Sequence, residues 1–405
     1  MKAAFRAVAF VSLFLAVALP ASAQEPVEEK PGDHARFQWG ALRFTPGIAV
    51  TDIGVDNNVF NDAEHPVSDT TMAVGPAVNA WLNVGALRVS EKSAGQYLYF
   101  RKNDNQRSWN TADELKLELP LSRFRPFAIG SYANTRQRPG FEIDSRARAT
   151  TNMAMFGSDV RMAGRSLLTL SAARTTTAFD AKETFLGSDL ALALNRHSDS
   201  EVLQFHYALT PLTTFVTTVE AVQDRFEHDR LRNADSISVR PGFEFKPFAL
   251  ISGKVSVGFR HFNVLNEAVR DYQGLVASVD AKYTLGAATL ISARVNRDLM
   301  FSFDESLPYY ALTESGVSIT QRLASSWDVL ARAGWQALAY RGVISSLDLP
   351  RTDRGQMYGL GLGYLIDETF RIGLDVNYYL RRSPLTQRNY DGLRAGVSVS
   401  YGLSQ

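Results

Sequence analysis

Basic and acidic residues recur along this chain at alternate positions of extended segments. The basic set is Arg240, Lys246, Lys254, Arg260, Lys282, Arg294, Arg332, Arg371, Arg381 and Arg394. The acidic set is Glu114, Glu118, Glu220, Glu244, Asp280, Asp298, Asp328 and Asp375. Carried on one face of a sheet around an aqueous space, opposed basic and acidic walls would make a transverse field that orients polar solutes and sets a weak ion preference. The same residues would also serve as a cross-strand ladder of ion pairs that stiffens the wall. The two roles are compatible, and the slight basic excess points to mild anion preference at most.

Other chemistries find less support. Of the six histidines, His34 lies near the N-terminus, His65, His197 and His228 in expected loops, His206 at mid-strand and His261 near a strand end. His228, flanked by Glu227 and Asp229, is the best-placed general base. Ser198 follows His197 directly, so on a strand the two side chains point apart and cannot form a nucleophile–base pair. Asp56-Asn57-Asn58 with Asp62, and Asp304-Glu305, are rich in oxygen but lack the spacing of a calcium loop and read as turn residues. There are no cysteines, which excludes thiol catalysis, thiolate metal sites and disulfides. No cofactor motif appears, and the reading is not of an enzyme. A formal net charge of +1 without a basic block argues against a nucleic-acid partner.

The elements that position these residues are strands. In the hairpin 369–403, Phe370, Ile372, Leu374, Val376, Tyr378 and Leu380 share one parity, and Arg371, Gly373, Asp375, Asn377, Tyr379 and Arg381 the other. The second arm repeats this, with Leu393, Ala395, Val397, Val399, Tyr401 and Leu403 opposing Arg394, Gly396, Ser398, Ser400 and Gly402. Such alternation means one apolar and one polar face. The apolar face looks inward in a soluble sandwich and outward to lipid in a transmembrane barrel.

The rest of the chain decides for the barrel. Lys2 and Arg6, the apolar stretch 7–19 and Ala21-Ser22-Ala23 read as a secretory signal peptide over 1–23, with an uncleaved anchor as the alternative. A polar leader follows over 24–42, and the barrel is expected over 43–405. No further stretch has the roughly 18 continuous apolar residues of a transmembrane helix, and a mean hydropathy of −0.13 suits alternating strands. Eight tight connections alternate with nine long polar ones, the latter near 56–68, 102–110, 136–146, 178–199, 226–233, 263–270, 302–308, 341–353 and 383–389. Short turns at one end and long loops at the other mark an outer-membrane barrel with its turns in the periplasm. The connections imply about 18 antiparallel strands, an even number, with 16 left open. Leu190, Leu192 and Leu194 repeat at strand spacing but would break the parity, so 187–195 is placed in the loop 178–199, as an extension or a flap folded into the lumen. Gly359, Gly361 and Gly363 share a strand face and would allow close packing there. The tyrosines Tyr309, Tyr310, Tyr340, Tyr358, Tyr364, Tyr378 and Tyr401 read as girdle or packing residues, and Tyr379 as a lumenal ring able to stack on a sugar.

Two stretches carry a family resemblance: Phe44-Thr45-Pro46 with Val55-Asp56-Asn57-Asn58-Val59-Phe60, and Ser256-Val257-Gly258-Phe259-Arg260 with the run from Val269 to Leu275. They resemble the β-barrel porin 2 type of outer-membrane porins associated with exopolysaccharide biosynthesis and export, and the strand-and-loop rhythm extends the resemblance over nearly all of the chain. It implies passive passage or export of polar solutes, polysaccharide included. The partners expected are outer-membrane lipid and lipopolysaccharide, the barrel insertion machinery, and polysaccharide or small polar solutes. The C-terminal Leu403-Ser404-Gln405 departs from the terminal aromatic that such machinery commonly reads. A non-conducting scaffold for an envelope assembly and a rim-active hydrolase are the alternatives.

Overall fold

The computed structural model describes residues 32–33, 35–246, 250–286, 288–323, 326–342, 351–367 and 369–402. The expected signal peptide, the leader up to residue 31, His34, Leu403 and the turn residues Phe248, Ala324, Ser325 and Glu368 lie outside them.

Eighteen strands form the wall. They are β1 (Leu42–Asp56), β2 (Asp69–Val84), β3 (Leu87–Phe100), β4 (Ser108–Glu118), β5 (Phe124–Gln137), β6 (Ala147–Arg161), β7 (Ser166–Phe179), β8 (Arg196–Ala208) and β9 (Thr213–Phe226). They continue as β10 (Ala234–Phe245), β11 (Ile251–Val264), β12 (Tyr272–Leu285), β13 (Thr289–Phe301), β14 (Tyr309–Leu323), β15 (Trp327–Arg341), β16 (Thr352–Leu365), β17 (Phe370–Arg382) and β18 (Tyr390–Tyr401). Each pairs antiparallel with its neighbours in sequence, and β18 pairs with β1. The sheet therefore closes into a barrel of 18 strands, not 16, and closure leaves no open edge to be satisfied in lipid. A short strand, Phe37–Trp39, adds to the start of β1. No described helix is long and apolar enough to cross a membrane.

The side-chain parity settles which face is out. On β17, Ile372, Leu374, Val376 and Tyr378 are exposed on the outside, whereas Arg381 is only 3% exposed on the inside. Phe156, Phe259 and Leu360 stand outward at 68%, 66% and 65% exposure. A belt of large apolar side chains turned outward, around an inner face of paired charges, inverts a soluble protein and is stable only against lipid.

One bulge breaks the parity usefully. The β1–β18 and β1–β2 registers both shift around Thr51–Ile53, and Asp52 takes a positive φ of 54°. The extra residue keeps Ile48, Ile53 and Val55 outward while turning Asp52 into the lumen. Gly54 faces the carbonyl of Ala395 so closely that no side chain would fit there.

The connections alternate short and long, and five long ones matter below: L3 (138–146), L4 (180–195), L5 (227–233), L7 (302–308) and L9 (383–389). The loop expected at 178–199 is shorter than its sequence reading, because β7 runs to Phe179 and β8 starts at Arg196. His197 and Ser198 are therefore strand residues rather than loop residues. Within L4, Leu190–Leu194 is one turn of α-helix (α1) instead of an extended segment. The Asp189 carboxylate caps it by accepting from the Leu192 N–H, and Leu190, Ala191, Ala193 and Leu194 are buried. Enclosed by other loops with no ladder to join, the segment satisfies its backbone locally.

Candidate functional site

The lumenal mouth is filled by a small core that the loops build among themselves. Ile143 of L3, Phe185, Leu190 and Leu194 of L4 and Phe303 of L7 pack together with Phe179 at the top of β7. The Phe185 and Phe303 rings meet edge to face with centroids 4.9 Å apart. Loop residues in aqueous surroundings need not bury apolar side chains, so this cluster holds the loops inside the barrel.

Charges then fasten L3 to the wall on the other side of the β18–β1 seam. Arg381 of β17 donates to the carbonyl of Phe141 at 2.8 Å, to the Asp144 carboxylate at 3.0 Å and to Asp353 at 2.5 Å. Arg388 of L9 donates to the Glu142 carbonyl and to Asp144, while its guanidinium lies over the Phe185 ring at 4.9 Å. The Glu142 carboxylate accepts from the Ser302 hydroxyl at 2.6 Å and the Phe303 N–H at 3.1 Å. Burial raises the pKa of Glu142, and these hydrogen bonds offset only part of that rise. From L5, the buried Arg232 donates to the carbonyl of Ser302 and pairs with Asp229 at 2.8 Å.

Two cavities adjoin this latch of L3 against β17 and L9. One, of about 660 Å³, is lined by Asp52, Arg138, Asp144, Arg332, Tyr379, Arg381 and Arg394. The other, of about 300 Å³, shares Asp52, Arg138 and Arg394 and adds Asp56 and Arg146. Asp56 is fully engaged, by Arg394 at 2.7 Å, by the Tyr379 hydroxyl at 2.8 Å and by the Asn58 N–H at 3.0 Å. Arg146 differs. Its guanidinium lies over the Phe100 ring at 4.6 Å, one terminal nitrogen is buried without a hydrogen-bond acceptor, and it has no carboxylate partner among the described residues. Burial first, then the neighbouring Arg138, Arg394 and Arg136, pulls its pKa down to about 10. A desolvated cation beside other cations attracts an anion.

The family model described as "Putative beta-barrel porin 2" matches residues 37–402. The chain belongs to that porin family. Membership, with the closed and lipid-facing barrel, places the porin in the bacterial outer membrane. No curated protein matches its sequence. Among solved structures it is similar to a BenF-like porin from Pseudomonas fluorescens Pf-5, at 11% identity over 90% of this chain and 99% of that one, with a TM-score of 0.49. It is also similar to the outer membrane protein OpdK from Pseudomonas aeruginosa, at 11% identity over 89% and 98%, TM-score 0.47. The FrpB iron transporter from Neisseria meningitidis matches at 9% identity over 84% and 62%, TM-score 0.42.

Most of the ionisable residues singled out from the sequence pair with one another on the inner face of the porin, whereas Lys246, beyond the end of β10, and Lys282 make no ion pair among the described residues. Glu220 accepts from Arg240 at 2.8 Å and Arg260 at 3.1 Å, and Arg260 reaches Asp298 at 3.1 Å. Lys254 pairs with Glu244 at 2.7 Å, Glu118 with Lys116 at 2.9 Å and Glu114 with Lys92 at 3.1 Å. Asp280 and Arg294, 3.5 Å apart, line a further cavity of about 430 Å³ with Lys282. Arg371 grips Asp328 with two bonds of 2.6 and 2.9 Å, and Arg332 bonds Asn377 at 2.9 Å beside Asp375 at 3.5 Å. Gly359, Gly361 and Gly363 make room for this last group, since a Cβ on any of them would overlap Arg332, Asp375 or Arg371.

The ladder and the latch do not coincide. Only Arg332, Arg381 and Arg394 of the sequence-derived charged set line the cavity of about 660 Å³, while Arg138, Glu142, Asp144, Arg146 and Arg388 belong to segments read only as polar loops. Their signal is faint: Phe141 and Ile143 alternate with Glu142 and Asp144, an apolar content that a freely solvated loop has no use for. Among the described residues no histidine is bonded to a hydroxyl nucleophile: His228 stands 3.8 Å from Glu227 and His261 lies 2.9 Å from the Gln273 amide. Ser198 turns inward and donates to Asp224, its neighbour His197 faces outward across from Arg225, and His206 stands 3.9 Å from Glu244. Asp62 receives the N–H groups of Glu64 and His65, and Asp304 those of Ser306, as turn residues do.

Proposed function

We propose that this porin is a selective diffusion channel for small polar solutes, favouring anions, with its selectivity set where Arg138 and Arg146 of L3 approach Arg394 of β18. The observation that carries the reading is Arg146, a half-buried guanidinium without an ion-pair partner among the described residues, opening on a cavity where it and two further arginines face two aspartates, one of them already taken by Arg394. The cavity volumes suit single small molecules, since ligand sites of about 300–1,000 Å³ hold compounds of that size. A polysaccharide chain would need L3 and L4 displaced, so the exopolysaccharide link carried by the family resemblance requires an undocked state. The role in this reading is transport, with the paired charges of the inner face orienting the solute.

Refolded protein in liposomes tests this by swelling assays with small carboxylates, neutral sugars and oligosaccharides, together with the reversal potential across a salt gradient in planar bilayers. Carboxylates entering fastest and an anion-selective potential are the expected results. A sealed lumen without solute flux, or cation selectivity, would overturn the proposal, and the sealed result would favour the scaffold role.

A further inference from the structure

The periplasmic opening of the lumen carries a charge pattern that neither the latch nor Arg146 uses. Near the short-turn ends of the strands, carboxylates on the inner face each stand between a pair of cations. Glu118, at the end of β4, bonds Lys116 at 2.9 Å and lies directly across from Arg88 of β3. Asp159 of β6 bonds Arg125 of β5 at 2.7 Å, and Arg161 follows it at the end of the same strand. Asp328 of β15 bonds Arg371 of β17 at 2.6 Å and lies directly across from Arg322 of β14. Glu244 of β10 bonds Lys254 of β11 at 2.7 Å, with Lys246 just beyond the strand end. Parity sets the strand residues inside, since Leu117, Phe156, Phe243, Leu323 and Trp327 are outward on the same strands.

Each cluster therefore holds one cation more than its carboxylate balances. Lys282 of β12 adds another, without an ion pair among the described residues. Arg43 of β1 is offset by Asp33 at 2.6 Å. In the turns, Arg123 and Arg165 outnumber Asp367, whose carboxylate caps its own turn. The surplus lies on both sides of the opening, on β3 to β6 and on β10 to β17, a strand length away from Arg146. Its geometry also differs from that of Arg146. Arg161, Lys246, Lys282 and Arg322 are exposed and stand on separate strands, so they do not close around one small ion. A potential shared by spread cations discriminates by valence, because the attraction grows with the charge of the anion.

We propose that the periplasmic opening is a docking site for multivalent anions, such as diphosphates and tricarboxylates, that arrive from the periplasm. Their binding there is independent of the selectivity assigned to Arg146, and the test separates the two.

Pyrophosphate, citrate and acetate are added to one chamber at a time in planar bilayers, at low salt because charges are screened over about 10 Å at 0.1 M. Insertions are oriented with Ser400→Cys, a lumenal thiol at the periplasmic end of a chain without cysteine, which a bulky impermeant maleimide reaches from that side. Pyrophosphate and citrate should block chloride current from the periplasmic side at concentrations at least tenfold below those needed from the other side. Acetate should show no such preference. The triple variant Lys246→Gln, Lys282→Gln, Arg322→Gln leaves each carboxylate its bonded partner and should lose the periplasmic advantage, whereas Arg146→Gln should retain it. If the lumen is sealed, calorimetric titration of pyrophosphate into refolded protein makes the same comparison: binding lost in the triple variant supports the site, and binding absent or unchanged overturns it. Block that is equal from the two sides, indifferent to valence, unchanged in the triple variant or abolished by Arg146→Gln would equally overturn the proposal.

Discussion

Arg381 shows how one side chain couples wall and loop. It is 3% exposed and shares its donors between Asp353 on β16 and Asp144 with two carbonyls on L3. Replacing it with Met leaves Asp144 with Arg388 and Asp353 with Arg351 as their remaining cations, and losing the charge-assisted hydrogen bonds of Arg381 costs about 1.5–3 kcal/mol. Because Arg381 joins a loop to a barrel that is closed without it, the loss should fall on docking rather than folding. Arg381→Met is expected to keep the folded, heat-modifiable band on gels while raising single-channel conductance; unchanged conductance would show that L3 does not narrow the lumen. Arg146 separates selectivity from structure, having no carboxylate to orphan. Arg146→Gln removes one charge-assisted contact to a bound anion, worth about 1.5–3 kcal/mol, and so should weaken anion block by tenfold or more. The check is the concentration at which a small carboxylate blocks chloride current, with barrel stability as the control.

On the scale of the strand, parity makes the sharpest claim. Val397 faces lipid on β18 and sits opposite Leu374 and near Ile53, whereas Ser398 faces the lumen beside Gly373. An arginine at Val397 should destabilise the barrel by about 2–4 kcal/mol, as at other lipid-facing midplane positions. Ser398→Arg should fold and alter conductance instead. Urea titrations in lipid vesicles measure both, and equal losses would contradict the register. This parity was legible from the amino-acid order because period two is a local property that each strand states for itself, and the alternation of short and long connections gave the strand number. What was not legible is non-local. Leu190–Leu194 shows strand spacing but curls into a helix because of what encloses it, and His197 joins β8 because Thr176 and Arg225 stand ready to pair with it. The latch of L3 was equally hidden, since nothing in 138–146 states that Arg381 and Arg388, more than two hundred positions later, will be its partners.

For the molecule as a whole, the docked loops make conduction depend on pH. Glu142 is the buried carboxyl of the latch, with Ser302 and the Phe303 N–H bonded to it, Arg388 and Arg381 at its backbone carbonyl, and Tyr310 and Tyr340 beside it. Its pKa is raised in the docked state, so docked L3 holds a proton more tightly than L3 swung into water. Docking is therefore favoured below the solvent value of the carboxyl, and that advantage is lost as pH rises through the raised docked value. One proton per loop limits the effect to about tenfold in the open-to-closed ratio per pH unit. The porin should thus conduct less in acid and more toward neutrality. Glu142→Gln keeps both hydrogen-bonding partners supplied but cannot ionise, so its docked state should persist at every pH, and the recorded conductance should be low and flat where the wild type climbs. If the variant climbs as the wild type does, the proton that moves the loop is held elsewhere, because no other change in the latch follows from replacing a carboxyl with its amide.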